Sequence, residues 1–100
     1  MDKRQHPRVD LQFRIVFNDD GIQGQGEILN LSRRGCAVQS EAAVATRMYL
    51  ALQLYLPGDE DPVTIDQAVV RWTAVQQFGV EFMQLQDHAV QRLHHFVSGL

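Results

Sequence analysis

The chain has one cysteine, no long apolar run and no surplus of positive charge, and each shortage removes a class of protein. Cys36, alone of its kind, can form neither an internal disulfide nor a thiolate metal cluster. In Gly35-Cys36-Ala37-Val38 it reads as a small buried side chain rather than a reactive thiol, because no base stands near it in sequence. No apolar segment approaches the roughly 18 residues of a membrane span. The amino end, Met1-Asp2-Lys3-Arg4-Gln5-His6-Pro7-Arg8, is charged where a signal peptide is apolar. The expected setting is therefore cytoplasmic, without membrane insertion. A net charge of -3 argues against binding a nucleic-acid polymer through bulk electrostatics.

What is present fits one small domain. A length of 100 residues supports one core with little surplus. Lys3, Arg4, Arg8, Arg14, Arg33 and Arg34 fall in the first third of the chain, whereas Arg47, Arg71 and Arg92 are scattered over the rest. A basic cluster on an acidic body suits a small anion better than a long polyanion.

Alternation of apolar and polar residues dominates the middle of the chain. Leu11, Phe13, Ile15 and Phe17 define a half-buried strand, closed by the turn signal Asp19-Asp20-Gly21. Gly24 to Leu29 reads as a second strand, weakened by Gly24 and Gly26, and Gly35 to Gln39 as a third. Met48, Leu50, Leu52, Leu54 and Leu56 form one face of a fourth, ending at Pro57-Gly58-Asp59. Val63 to Val75 follows, its inward set moving from Val63 and Ile65 to Ala68, Val70 and Trp72, which implies a bulge near Gln67. On this reading Trp72 packs in the core rather than against a base. Phe78 to Met83 is the last strand. Ala89, Val90, Leu93, Phe96 and Val97 then recur at helical spacing after a cap at Asp87. The expected fold is all-β with a C-terminal helix, a small six-stranded antiparallel barrel without exposed edges. Its parts are an arginine-bearing arm over 1–10, a barrel over 11–84 and a helix over 86–98.

Two short polar segments carry the chemistry. Arg4 and Arg8 supply planar, permanently charged guanidinium groups that bind phosphate or the O6 and N7 of guanine. Pro7 disfavours helix at His6, so this stretch is expected to be extended or turning. Asn30-Leu31-Ser32-Arg33-Arg34-Gly35 supplies an amide, a hydroxyl and a glycine that permits a positive φ or a close approach to the backbone. Two readings of that segment compete: a ligand wall, or a turn in which Asn30 and Ser32 satisfy their own backbone.

Arg-x-x-x-Arg followed by Asn-x-Ser-x-x-Gly, with Gly79-Val80-Glu81-Phe82 near the end, resembles the PilZ domain family over nearly the whole chain. The resemblance implies a barrel that binds cyclic di-GMP, a bacterial second messenger. It assigns guanine and phosphate contacts to Arg4 and Arg8 on an arm that folds over the ligand. Asn30 and Ser32 would hydrogen-bond the ligand from the barrel, and Gly35 would let the backbone approach. Asn30 stands where many members carry aspartate, and a neutral amide accepts less strongly than a carboxylate. Of Arg33 and Arg34, one is expected to reach the ligand while the other faces solvent. The implied role is a receptor or adaptor that signals to an unidentified protein partner by changing its contacts, with no further cofactor. The alternative is a PilZ-like interaction module that does not bind nucleotide.

Catalysis and metal binding are disfavoured by the sequence. Ser32 lacks a Gly-x-Ser-x-Gly elbow and a base with an orienting partner. Asp19, Asp20, Asp59, Glu60 and Asp61 sit in turn-like segments, as solvating charge. His94 and His95 point to different helix faces, and no His-Glu-x-x-His pattern is present. Tyr49 and Tyr55 are too few as surface aromatics to suggest a platform for single-stranded nucleic acid.

Overall fold

A computed structural model describes residues 13–19, 21, 23–58 and 61–99. Six antiparallel strands close into a barrel in the order β1-β2-β3-β6-β5-β4. They are β1 (Phe13–Asn18), β2 (Gln23–Leu31), β3 (Gly35–Gln39), β4 (Tyr49–Tyr55), β5 (Val63–Ala74) and β6 (Gln77–Leu85), followed by helix α1 (Asp87–Ser98). Pairing of β1 with β4 completes the ring, so no strand among them is left with an open edge.

The inward residues are those that alternation marks. Ile15, Phe17, Leu50, Leu52, Leu54, Val63, Ile65, Ala68 and Val70 are buried, and Phe17 meets Phe78 edge-on with ring centroids 5.2 Å apart. The leucines of β4 stay in a strand because burying one face outweighs their helical preference. Helix α1 closes one end of the barrel. Ala89 and Leu93 are buried, and Phe96 packs edge-to-face on Phe13 at 5.3 Å. Arg92 ties the helix to the β4–β5 connection by donating to the carbonyls of Pro62 (3.1 Å) and Asp61 (2.5 Å). No helix among the described residues is long and apolar enough to cross a membrane.

Several local expectations are corrected. Gln86, not Asp87, is the N-cap residue and makes no side-chain capping bond; Asp87 lies in the first turn. There its carboxylate complements the helix dipole. Val90 is exposed rather than part of the packed stripe, because Ala89 and Leu93 fill the line of contact. Strand β2 runs on to Leu31, so Asn30 belongs to a strand rather than to the turn. Trp72 is not in the core: it is 44% exposed. Leu11, like the arm that carries Arg4 and Arg8, lies outside the described residues.

β-Bulges set the direction in which Asn30 and Trp72 point. In β2, Ile28 pairs with Val38 but Asn30 pairs with Ala37, so Leu29 is inserted. Ile28 points inward, and in a regular strand Asn30 would follow it. The inserted residue turns Asn30 outward. In β5 the register shifts on both sides of Gln67, as the sequence pattern implies, and shifts again between Val70 and Trp72. This further irregularity, with Arg71 as the inserted residue, sends Trp72 outward. Bulges re-aim side chains in this way without ending the sheet.

Candidate ligand-binding site

The two re-aimed residues face the same side of the barrel wall. Asn30 pairs with Ala37, Ala37 with Gly79, and Gly79 with Trp72. One cross-strand row therefore runs Asn30–Ala37–Gly79–Trp72 over β2, β3, β6 and β5. Paired residues share a face, so this row lies outside, next to the inward row of Cys36, Val80 and Val70. On the same outer face Gly35 pairs with Glu81. Three small residues, Gly35, Ala37 and Gly79, thus make a low floor between taller polar and aromatic walls. Three inter-strand spacings separate the Asn30 and Trp72 ends of the row, roughly 14 Å.

The result is a shallow pocket of about 350 Å³, lined among others by Asn30, Ser32, Arg34, Arg71, Trp72 and Glu81. That volume is within the usual range for small-molecule sites, roughly 300–1,000 Å³. Trp72 lies directly over Gly79: a Cβ built there would come within 3.0 Å of the indole Nε1, Cε2 and Cδ1. The glycine lets the indole lie low against the sheet, with one side still open to solvent.

Ser32 is engaged by its own turn. Its Oγ accepts from the amides of Arg34 and Gly35, each at 3.2 Å, and its amide donates to the Gly35 carbonyl at 2.9 Å. The hydroxyl is also 3.2 Å from that carbonyl, to which it donates. Of the two readings of this segment, the self-satisfied turn therefore describes Ser32, whose hydroxyl can still exchange its bond for one to a ligand. Asn30 differs: its side chain makes no hydrogen bond among the described residues, leaving a donor and an acceptor at the pocket edge.

Gly35 has a cause that the motif does not express. A Cβ there would collide with the backbone carbonyl of Val80 on β6, while the neighbouring Phe82 amide donates to the Arg34 carbonyl at 2.7 Å. Its φ is not in the left-handed region. Close approach of a neighbouring strand demands the glycine, and the bare floor is a by-product.

The arginines divide. Arg34 lines the pocket, whereas an Arg33 Nη1 lies 3.5 Å from His94 Nδ1 on α1. Arg71 and Glu81, which the sequence reading did not select, form an ion pair at the pocket wall. Arg71 Nε donates to Glu81 Oε1 at 2.7 Å and Nη2 approaches the same oxygen at 2.6 Å. Both groups are about half exposed, and such a pair stabilises the fold by only about 0–1 kcal/mol. Trp72, which the sequence pattern assigns to the core, is a further member of the site; its pairing with Gly79, which has no side chain, emerges only from the strand register. Cys36, by contrast, faces the core, and burial pushes its thiol up to about 12, which keeps it neutral and unreactive at ordinary pH.

Arg4 and Arg8 lie outside the described residues, but chain length bounds their reach. Arg8 precedes Phe13 by five residues, at most about 18 Å of extended chain. Phe13 pairs with Ile28, two residues before Asn30 on β2. A segment tethered there can reach the pocket floor. What the whole arrangement can do is hold a planar, anionic ligand: an aromatic face to stack on, guanidinium groups for phosphate, and amide and carboxylate groups for base edges.

Comparison with known proteins bears on the fold and the family. A solved structure of the Bacillus subtilis inhibitor of motility, MotI/DgrA, superposes with a TM-score of 0.68 at 21% identity over 99% of this chain. This chain spans about half of that neighbour's length (51%), and the likeness is one of fold. No curated protein sequence matches. The PilZ domain model matches residues 2–99, a span that takes in the Arg-x-x-x-Arg segment, the Asn-x-Ser-x-x-Gly segment and every strand of the barrel, and on that match the chain belongs to the PilZ domain family.

Proposed function

We propose that this domain is a cyclic di-GMP receptor and adaptor. The ligand sits on the outer floor of Gly35, Ala37 and Gly79, with Arg4 and Arg8 closing over it from the arm. The observation that carries this reading is the convergence of the motif on one pocket. Asn30, Ser32, Arg34 and Gly35 border it together with Trp72 and Arg71, and the family match includes the residues that bear Arg4 and Arg8. Trp72 offers a stacking face for one base, and the unbonded Asn30 amide an edge contact. Arg34, Arg4 and Arg8 neutralise phosphate. Nothing in this arrangement requires a bond to be broken, and the role proposed is binding and signalling rather than catalysis.

Ordering of the arm on the ligand would present a new surface to a protein partner, at a cost in net affinity. Calorimetric titration tests the site: Arg4→Ala and Arg8→Ala should each weaken cyclic di-GMP binding, and unchanged affinity in both would remove the arm from it. Hydrogen exchange over residues 2–10 should slow with saturating ligand; unchanged exchange would refute the ordering step.

A second reading has its own support. Ser32 is satisfied by its turn and Gly35 is required by Val80, so two motif positions have structural explanations without a ligand. An interaction module that binds no nucleotide would keep both. It would show no heat on titration with cyclic di-GMP.

A further inference from the structure

We infer that Arg71 and Glu81 read the base, and make the pocket selective for guanine over adenine. This rests on the proposed nucleotide site and names a determinant within it. Among the described residues that line the pocket, Glu81 is the only carboxylate. Both contacts from Arg71 fall on Oε1, and Oε2 makes no hydrogen bond among the described residues. The pair thus presents a guanidinium donor beside a free carboxylate acceptor, on the wall next to the Trp72 indole. A base stacked on that indole turns an edge toward such a wall.

The order of donor and acceptor decides which base fits. Guanine carries the O6 acceptor beside the N1–H and N2–H donors, so O6 can face Arg71 while N1–H and N2–H face Glu81. Adenine carries the reverse, an N6–H donor beside the N1 acceptor. Placed on the same wall, it sets donor against donor and a lone pair against a carboxylate. A site built to hydrogen-bond one edge rejects the other strongly, because its polar groups are left unpaired. The neutral Asn30 cannot supply this discrimination, since an amide rotates to offer either a donor or an acceptor.

Glu81→Gln tests the inference by calorimetric titration with cyclic di-GMP and cyclic di-AMP. The wild-type protein should prefer cyclic di-GMP by roughly 100-fold or more. In Glu81→Gln, affinity for cyclic di-GMP should fall about tenfold or more while that for cyclic di-AMP holds or rises. Because the ion pair is exposed, the melting temperature should stay nearly constant, which separates lost recognition from lost fold. Wild-type selectivity retained in Glu81→Gln would overturn this inference alone. Wild-type protein that binds neither dinucleotide would overturn the proposed function along with it.

Discussion

Replacing Gly35 with alanine separates two explanations of a motif glycine. If the position is bare so that ligand can approach, Gly35→Ala should weaken binding and leave stability intact. The structure predicts the opposite order of effects. The new methyl group would meet the Val80 carbonyl carbon and the Glu81 Cα as well as the carbonyl oxygen, all backbone atoms of β6. No flexible side chain is there to move aside. Relief requires β3 and β6 to separate where Gly35 pairs with Glu81 and the Arg34 carbonyl accepts from Phe82. Overpacking of this kind costs about 1–3 kcal/mol, and for a domain of this size each kcal/mol lowers Tm by roughly 4–8 °C. Thermal melting without ligand should therefore show a fall of about 4 to 24 °C. Gly79→Ala is the contrast, since the Trp72 indole it strikes is half exposed and can swing outward. Its Tm should fall far less. Gly35→Ala protein that melts with the wild type yet has lost its ligand would refute the reasoning.

Three further outcomes follow from the site and the core. Trp72→Ala should weaken cyclic di-GMP binding by about 1–3 kcal/mol, the usual contribution of base stacking, with little change in melting; an unchanged calorimetric Kd would remove the indole from the site. Arg8→Ala should cost about 1.5–3 kcal/mol of binding, one to two orders of magnitude in Kd, again without unfolding the barrel. Cys36 should make stability fall in alkali. Its thiol is raised to about 12 in the folded protein from an ordinary 9.0, so above pH 9 only the unfolded chain loses the proton. Stability is full below that pH and declines by at most about 1.4 kcal/mol per unit up to the folded value. Urea denaturation at pH 8 and pH 10 should show a larger loss in the wild type than in Cys36→Ala; equal losses would mean that the thiol is not buried as described.

The parts of the fold that local pattern controls were legible. The alternation through β4 is uninterrupted: Leu50, Leu52 and Leu54 within it, with Met48 and Leu56 at its ends, face the core or pack against it. The phase change at Gln67 could also be read, because buried residues on both sides record it. The outward turn of Trp72 could not, since a tryptophan two residues past the buried Val70 continues the apolar alternation. Only the pairing of Gly79 with Trp72 rather than with Arg71 reveals the inserted residue. The chemistry of Asn30 marks it in the sequence, but the bulge at Leu29 that aims it outward leaves no mark among three neighbouring apolar residues. The far wall of the pocket was hidden for a related reason. Arg71, Trp72 and Glu81 meet Asn30 and Ser32 only through pairings among β2, β3, β6 and β5, which join parts of the chain about forty to fifty residues apart.

Trp72 is the only tryptophan in the chain, so intrinsic fluorescence reports from the pocket itself. Titrating the wild-type protein with cyclic di-GMP should change that emission saturably, with the same midpoint as the calorimetric heat. In Arg8→Ala the curve should shift to at least tenfold higher ligand. Emission that stays flat while calorimetry records saturable binding would place the ligand elsewhere on the barrel, and a flat response in both would contradict the account.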